Sequence, residues 1–344
     1  MKASGIHLIA EFFDCHRQTL NNKEVIEKIF REGIDEAKLH LKRYAAKQFY
    51  PQGMTSIAII SESHIALHTY PESRQASLDI FTCSENPWKI LTLLERFIRT
   101  LEPKNIKIFE IERGSLKPTR LRKIFSAKSK YQTIDIVEYD KFGRMLFLDG
   151  DLQIAEKDAY LYNNAIIKPF LKKKLNSVAI LGGGDGGVLK EVFKLKPREV
   201  IIFEIDPAVI KSSQKFLKNI CGEAFQDSRL KIVIGDASKF MHTKKVFDAI
   251  VFDLTINPEV HTQEKRGNFF EKILVGARNH LTARGILSMQ CGPFEDVKNT
   301  IFIKNKLRKY FTGVKVLKTF IPSYGEDWLF ASASNSHRNA MKQH

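Results

Sequence analysis

Cysteine is scarce, with four in 344 residues (Cys15, Cys83, Cys221 and Cys291), all far apart and without a CxxC pair. That suits a reducing compartment better than a disulfide framework or a zinc site, and no metal is expected. No run of about 18 apolar residues occurs, so no membrane-spanning helix is expected. The N-terminus enters an alternating strand directly, without a basic and apolar leader, and a cytoplasmic location follows as the expectation. The formal charge is +16, but no helix-turn-helix pattern or aromatic-interleaved basic motif accompanies it. That argues against nucleic acid as a partner and for a lysine-rich solvated surface. The two signs roughly balance before Ser115, and much of the excess lies between Lys117 and Lys130 and in Lys172-Lys173-Lys174.

What is present suffices for two cores, since 43% of the residues are hydrophobic. Residues 6–13 alternate as a strand. Behind Asn22, residues 23 to about 41 carry Val25, Ile26, Ile29, Phe30 and Ile34 at helical spacing, and Pro87-Trp88 opens a second amphipathic helix. Strands over 56–60, 65–69, 76–82 and 106–111 complete an α+β sandwich, an antiparallel sheet with helices on one face. Between two of them lie Ser61, Glu62, Ser63, His64 and His68. A serine hydroxyl held against the preceding carbonyl can attack it, turning the Glu62-Ser63 amide into an ester that a nearby base eliminates. The chain then breaks and Ser63 becomes a pyruvoyl group, a ketone able to form a Schiff base with a substrate amine and to act as electron sink for decarboxylation. Taken alone, these residues suit an ordinary strand end and turn equally well.

Four blocks in this order resemble the short prokaryotic form of S-adenosylmethionine decarboxylase: Gly5-Ile6-His7-Leu8-Ile9-Ala10-Glu11-Phe12, Ser61-Glu62-Ser63-His64, His68-Thr69-Tyr70-Pro71-Glu72 and Asp79-Ile80-Phe81-Thr82-Cys83. The resemblance covers residues 1–114. It implies processing between Glu62 and Ser63, a pyruvoyl cofactor derived from Ser63, assistance of the elimination by His68, and protonation of the substrate carbon by Cys83. It also implies that Glu11 and Phe49 lie near the substrate, with Phe49 stacking on adenine. Ser84 stands where the family usually has glycine, and Met54-Thr55-Ser56 is bulkier than its small-residue turn. A basic amino acid such as ornithine or arginine is therefore the alternative substrate.

Residues 115–129 lack periodicity, contain Pro118 and are basic, which reads as a linker. Residues 130–157 read as a small β lobe turning at Lys141-Phe142-Gly143-Arg144. A helix is expected over 158–171. Val178-Ala179-Ile180-Leu181 then runs into Gly182-Gly183-Gly184-Asp185-Gly186-Gly187 and a helix over 188–195, the strand, glycine turn and helix of a nucleotide fold. The next strand ends in Glu204-Ile205-Asp206, where a carboxylate can hold ribose hydroxyls, and later strands end at Gly235-Asp236 and at Asp253. Nicotinamide enzymes and methyltransferases share this spacing. The expected architecture over 158–335 is an α/β Rossmann-like domain, with a tail over 336–344.

From about Tyr131 to Ser334 the chain resembles the spermidine synthase family of polyamine aminopropyltransferases. The resemblance is carried by Tyr131-Gln132, Leu148-Asp149-Gly150, Tyr162, the whole glycine run, Glu204-Ile205-Asp206, Gly235-Asp236, Asp253, Gln290 and Ile321-Pro322-Ser323-Tyr324. It implies that Gln132, Gly182, Gly184, Asp185, Glu204 and Asp236 bind the nucleotide, and that Asp185, Gln290 and Tyr324 face the amine. Asp253 with Tyr162 would help deprotonate the attacking amine, which displaces methylthioadenosine from the sulfonium of decarboxylated S-adenosylmethionine, the co-substrate. Two stretches depart from the family. Its acids are replaced at Ala159 and Asn164, and its Asp-Ser-Ser-Asp-Pro loop reads Asp253-Leu254-Thr255-Ile256-Asn257-Pro258. The lost acids are those expected to anchor the far ammonium of putrescine, and a buried ammonium without a counter-charge is costly.

The two resemblances together imply a bifunctional polyamine-biosynthesis enzyme that decarboxylates S-adenosylmethionine and then transfers its aminopropyl group to an amine such as putrescine. They also imply small-molecule substrates and a homodimer. The alternative is a working decarboxylase fused to a non-catalytic or altered-substrate nucleotide-binding module.

Overall fold

The computed structural model describes residues 5–61, 63–83, 86–112, 114–254 and 266–335. Glu62, Ser84, Thr255, Ile256, Asn257, Pro258 and the tail 336–344 lie outside the described residues. The chain divides into two compact units, Met1–Ser126 with Asp135–Gln153, and Ala127–Ile134 with Ile154–His344.

The first unit holds a seven-stranded sheet of β1 (Ile6–Phe13), β2 (Leu41–Gln48), β3 (Met54–Ile60), β4 (Ser63–Tyr70), β5 (Gln75–Thr82), β6 (Asn105–Glu112) and β7 (Ser115–Pro118). The strand order is β2-β3-β4-β5-β1-β6-β7, and every pairing is antiparallel. Alternation buries one face completely: Leu8, Ala10 and Phe12 of β1, Ile65 and Leu67 of β4, and Leu78 of β5. Helix Lys23–Glu36 packs on β2 and β3 and on helix Pro87–Leu101. Asn22 and Asn86 cap the two helices by accepting from the amides of Val25 and Trp88. The helices approach closely at Gly33, where a Cβ would lie 3.0 Å from Leu93. The opposite face of the sheet carries the polar chemistry.

Two expectations fail here, both at sheet edges. The first helix stops at Glu36, not near residue 41, and Leu41–Gln48 forms an outer strand. The expected basic linker over 115–129 instead forms β7, the other outer strand of this sheet, and β8 (Leu121–Lys128). Lysines on an edge strand face water and discourage further pairing, so such a strand shows no apolar alternation.

A second sheet has the order β11-β10-β9-β8, with β9 (Thr133–Tyr139), β10 (Gly143–Leu148) and β11 (Asp151–Ala155). Residues 135–153 of this lobe belong to the first unit. There Trp88 donates from Nε1 to Asp135 Oδ2 at 3.0 Å, and Gly150, at φ 85°, lies where a Cβ would come within 2.9 Å of the Trp88 ring.

The second unit is built on β12 (Ser177–Gly182), β13 (Glu199–Glu204), β14 (Leu230–Ile234), β15 (Phe247–Asp253), β16 (Leu281–Pro293), β17 (Thr312–Ile321) and β18 (Glu326–Ser334). Their order is β14-β13-β12-β15-β16-β18-β17, parallel from β14 to β16 and antiparallel beyond. This is the Rossmann-like sheet expected, and its order reverses at β12, so the ends of β12 and β15 flank the crevice where such folds bind ligands. One core gathers Phe203, Phe240, Phe252 and Phe270, and another gathers Ile180, Val188, Val251 and Tyr162. The helix expected over 158–171 runs only from Ala159 to Ile167, because Pro169 turns the chain into a short 3-10 segment. Among the described residues no helix is long and apolar enough to cross a membrane.

Candidate active sites

In the second unit, Gly182 ends β12 directly beside Asp253 at the end of β15. A Cβ on Gly182 would lie 2.3 Å from the Asp253 carbonyl oxygen, and its φ is 82°, so only glycine lets the strand ends close. A Cβ on Gly184 would lie 2.8 Å from Glu204 Oε2. The glycine turn therefore folds straight over both acids. Asp185 Oδ1 accepts from the Gly187 amide at 2.7 Å, and Glu204 Oε1 accepts from the Asp206 amide at 3.0 Å. Tyr162 donates its hydroxyl to Asp253 Oδ1 at 2.6 Å. Its ring meets Phe330 edge-on at 5.0 Å and Tyr324 at 6.4 Å, and Tyr324 packs on Trp328 at 4.8 Å.

Burial, reinforced by the charge of Asp185, lifts the Asp253 carboxyl to about 7, although the hydrogen bond from Tyr162 pulls the other way. Burial lifts Glu204 to about 7 against the backbone hydrogen bonds it accepts, and burial also raises Asp185. Buried acids this close resist ionising together, and a cation among them relieves both desolvation and repulsion. The arrangement suits a ligand carrying a sulfonium or an ammonium.

Three expected site residues make mainly internal bonds. Gln132 donates to Asp206 Oδ2 at 3.1 Å, beside the Ser129 hydroxyl at 2.6 Å. Gln290 donates to the Leu254 carbonyl at 2.6 Å and accepts from the Gly292 amide and from Trp328 Nε1, so it fixes the residue that follows Asp253. Asp236 caps the turn Ala237–His242 through the Ser238 amide. One residue assigned no role in advance does enter the site. Asn163 is buried, its Oδ1 has no hydrogen-bond partner, and its amide lies beside Asp185 where the two crowd Gly187.

In the first unit the expected residues fall into two groups. Ser63 begins β4 opposite Thr82 of β5, and Gly5 packs against the backbone of Thr82 and Cys83, whose thiol is exposed and free. Ser63 has φ 149°, a backbone region that L side chains rarely adopt, so the residue is strained at the expected processing position. The second group is a row across four strands. Thr55 pairs with His68, His68 with Ser77, and Ser77 with Glu11. Thr55 Oγ1 and His68 Nδ1 are 2.9 Å apart, and Ser77 donates to Glu11 Oε2 at 2.7 Å. Phe49 is half exposed just beyond β2, toward this second group. His68 lies five residues along β4 from Ser63, about 16 Å at the rise of a strand. Met54, expected to alter the pocket, lies in β3 with its side chain in the core face.

A family model described as the spermine/spermidine synthase domain matches residues 162–343, more than half of the chain. The chain belongs to the spermine/spermidine synthase family. Residues 6–114 match the S-adenosylmethionine decarboxylase family, and residues 122–156 match the spermidine synthase tetramerisation domain. The polyamine aminopropyltransferase of Prochlorococcus marinus strain MIT 9312 is 34% identical over 223 residues, covering 62% of this chain and 77% of that protein. That of Sulfurisphaera tokodaii is 33% identical over 218 residues, covering 62% and 71%. Among solved structures, spermidine synthase in complex with the transition-state analogue AdoDATO superposes with a TM-score of 0.57 at 30% identity, covering 64% of this chain and 77% of that one. The Thermotoga maritima spermidine synthase gives 0.56 at 27%, covering 68% and 76%. With a decarboxylase domain preceding its spermidine synthase domain, this family member is a bifunctional polyamine-biosynthesis enzyme. Among the described residues no group of three or more His, Cys, Asp or Glu is placed to hold a metal ion.

Proposed function

We propose that Ser63 is converted to a pyruvoyl group on which S-adenosylmethionine is decarboxylated, and that the product passes its aminopropyl group to an amine, such as putrescine, in the Asp185–Asp253 crevice. The buried acids of that crevice carry the reading, because they demand a cationic ligand. Glu204 holds the ribose, Asp185 the aminopropyl ammonium, and Asp253 takes a proton from the attacking amine with Tyr162 fixing its orientation. Gln132 and Gln290 act by holding Asp206 and the residue after Asp253, and Tyr324 forms the wall beside the amine. In the first unit, the strained backbone at Ser63 favours conversion of that residue, and Cys83 lies next to the partner of Ser63 in the sheet. A ketone at Ser63 would supply an electron sink for loss of carbon dioxide. Cys83 holds the proton delivered to the substrate carbon, and Glu11 and Phe49 contact the substrate.

His68 is too far along β4 to serve Ser63 of its own chain. A homodimer in which it serves the partner reconciles the two groups, and a cytoplasmic location fits the substrates.

The test is intact mass of the denatured protein beside Ser63→Ala, followed by feeding S-adenosylmethionine with a panel of amines. Fragments cut between Glu62 and Ser63, decarboxylated nucleotide, and methylthioadenosine released only with an amine are expected. An uncut wild-type chain removes the first step. Binding of methylthioadenosine without turnover of any amine leaves the second unit as a nucleotide-binding module.

A further inference from the structure

Ser63 stands at one end of a continuous polar chain. Its Oγ is 3.4 Å from His64 Nδ1, and His64 Nε2 is 3.6 Å from Asp79 Oδ1. Asp79 Oδ2 in turn lies 3.0 Å from His7 Nε2. The Asp79 Oδ1 atom is buried and has no hydrogen-bond partner, and the His64 ring lies beside it. Phe81 lies between the two imidazoles in the sheet register, with its ring centre 5.3 Å from His7 and 6.1 Å from His64. Neither His64, Asp79 nor His7 has a role in the reading above. His68, the histidine that does, pairs with Thr55 about 16 Å away along the strand.

We propose that His64 is the base for the first step of self-processing, positioned by Asp79 and His7. This rests on the proposed conversion of Ser63. For Nδ1 to accept, the ring proton must sit on Nε2, and the Asp79 carboxylate facing Nε2 selects that tautomer. The Ser63 hydroxyl loses its proton to His64 Nδ1 as Oγ bonds to the Glu62 carbonyl carbon. The carbon–nitrogen bond between Glu62 and Ser63 then breaks, and the same proton passes from His64 to the Ser63 nitrogen. An amide has become an ester, with no net gain or loss of protons and no other reactant. The ensuing elimination is a separate step and is left to His68. Asp79 and His7 touch none of the reacting atoms and act by holding the ring, as the carboxylate does in a serine–histidine–aspartate arrangement.

The experiment follows chain cleavage by intact mass after refolding of the full chain, for wild type, His64→Ala, His64→Gln, Asp79→Asn and Asp79→Glu. Thermal unfolding of each variant reports on folding. Cleavage of His64→Ala is expected to slow by about 100-fold, the scale of a lost general base, and to recover when imidazole is added. Asp79→Asn should slow cleavage less, and Asp79→Glu should restore part of it. Wild-type cleavage rates in a folded His64→Ala or His64→Gln chain overturn the inference. So does slow cleavage that imidazole leaves unchanged. Should His64→Ala fail to fold, a folded Asp79→Asn chain cutting at the wild-type rate also overturns it. In each case a wild-type chain that still cuts leaves the decarboxylase reading standing, whereas an uncut wild type defeats that reading itself.

Discussion

Tyr162 reaches Asp253 through a 2.6 Å hydrogen bond that joins helix Ala159–Ile167 to the end of β15. The bond stabilises the ionised carboxylate against burial and the charge of Asp185, which together lift it to about 7. If Asp253 is the base, kcat/KM for aminopropyl transfer rises with pH as it ionises, with its acid limb near 7. Tyr162→Phe removes the stabilising bond and moves that limb upward. Asp253→Asn lowers kcat by about 100-fold or more, the scale of a lost general base, with little change in nucleotide affinity. A limb below pH 5, or a Tyr162→Phe profile identical to wild type, contradicts the assignment.

Gly184 tests whether the glycine turn is fitted to the ribose carboxylate. A Cβ there would lie 2.8 Å from Glu204 Oε2 and 3.0 Å from Val209, so Gly184→Ala must push the carboxylate aside. Affinity for methylthioadenosine, measured by calorimetry, is expected to fall about tenfold, corresponding to about 1.4 kcal/mol, with a smaller effect on the unfolding midpoint. Unchanged affinity would mean that Glu204 does not hold the nucleotide.

The residues of this crevice are legible in the sequence because their positions are tied to strand ends: a glycine turn after one buried strand, and acids ending three others. The strands themselves show as apolar runs. Leu41–Gln48, Ser115–Pro118 and Leu121–Lys128, read as the end of a helix and as a linker, are all sheet edges, where lysine-rich exposure erases the alternation that marks a strand. Asp79 and His7 were visible only as parts of motifs. Their contact with each other depends on β1 lying beside β5, a pairing between residues 72 positions apart that periodicity does not specify. Asn163 follows the same logic, since its place beside Asp185 comes from helix packing.

Glu204 links folding to pH. Burial raises its carboxyl from 4.5 to about 7 in the folded chain, so between those values the folded state binds more protons than the unfolded state. Stability from this group is fully present below the lower value and is lost as pH rises through about 7. The unfolding midpoint of the ligand-free protein should therefore fall more steeply between pH 5 and 7.5 than that of Glu204→Gln. Parallel curves for the two proteins would show that Glu204 ionises normally in the folded chain.

The separation of Ser63 from His68 makes a sharper demand on the first unit. Both lie on β4, five residues apart, about 16 Å along an extended strand, and the His68 ring is engaged by Thr55. If His68 assists elimination, it does so on another copy. A chain with His68→Ala keeps its own Ser63 but lacks the group its partner needs, while a chain with Ser63→Ala keeps His68 and cannot be cut. Each alone should stay uncleaved, or in the case of His68→Ala cleave about 100-fold more slowly. When the two are unfolded, mixed and refolded together, cleavage should return, and only in the His68→Ala chain, which mass spectrometry distinguishes. Failure of the mixture to cut, with both variants folded and paired, would place the action of His68 within its own chain. Wild-type cleavage by His68→Ala alone would remove His68 from the processing chemistry altogether.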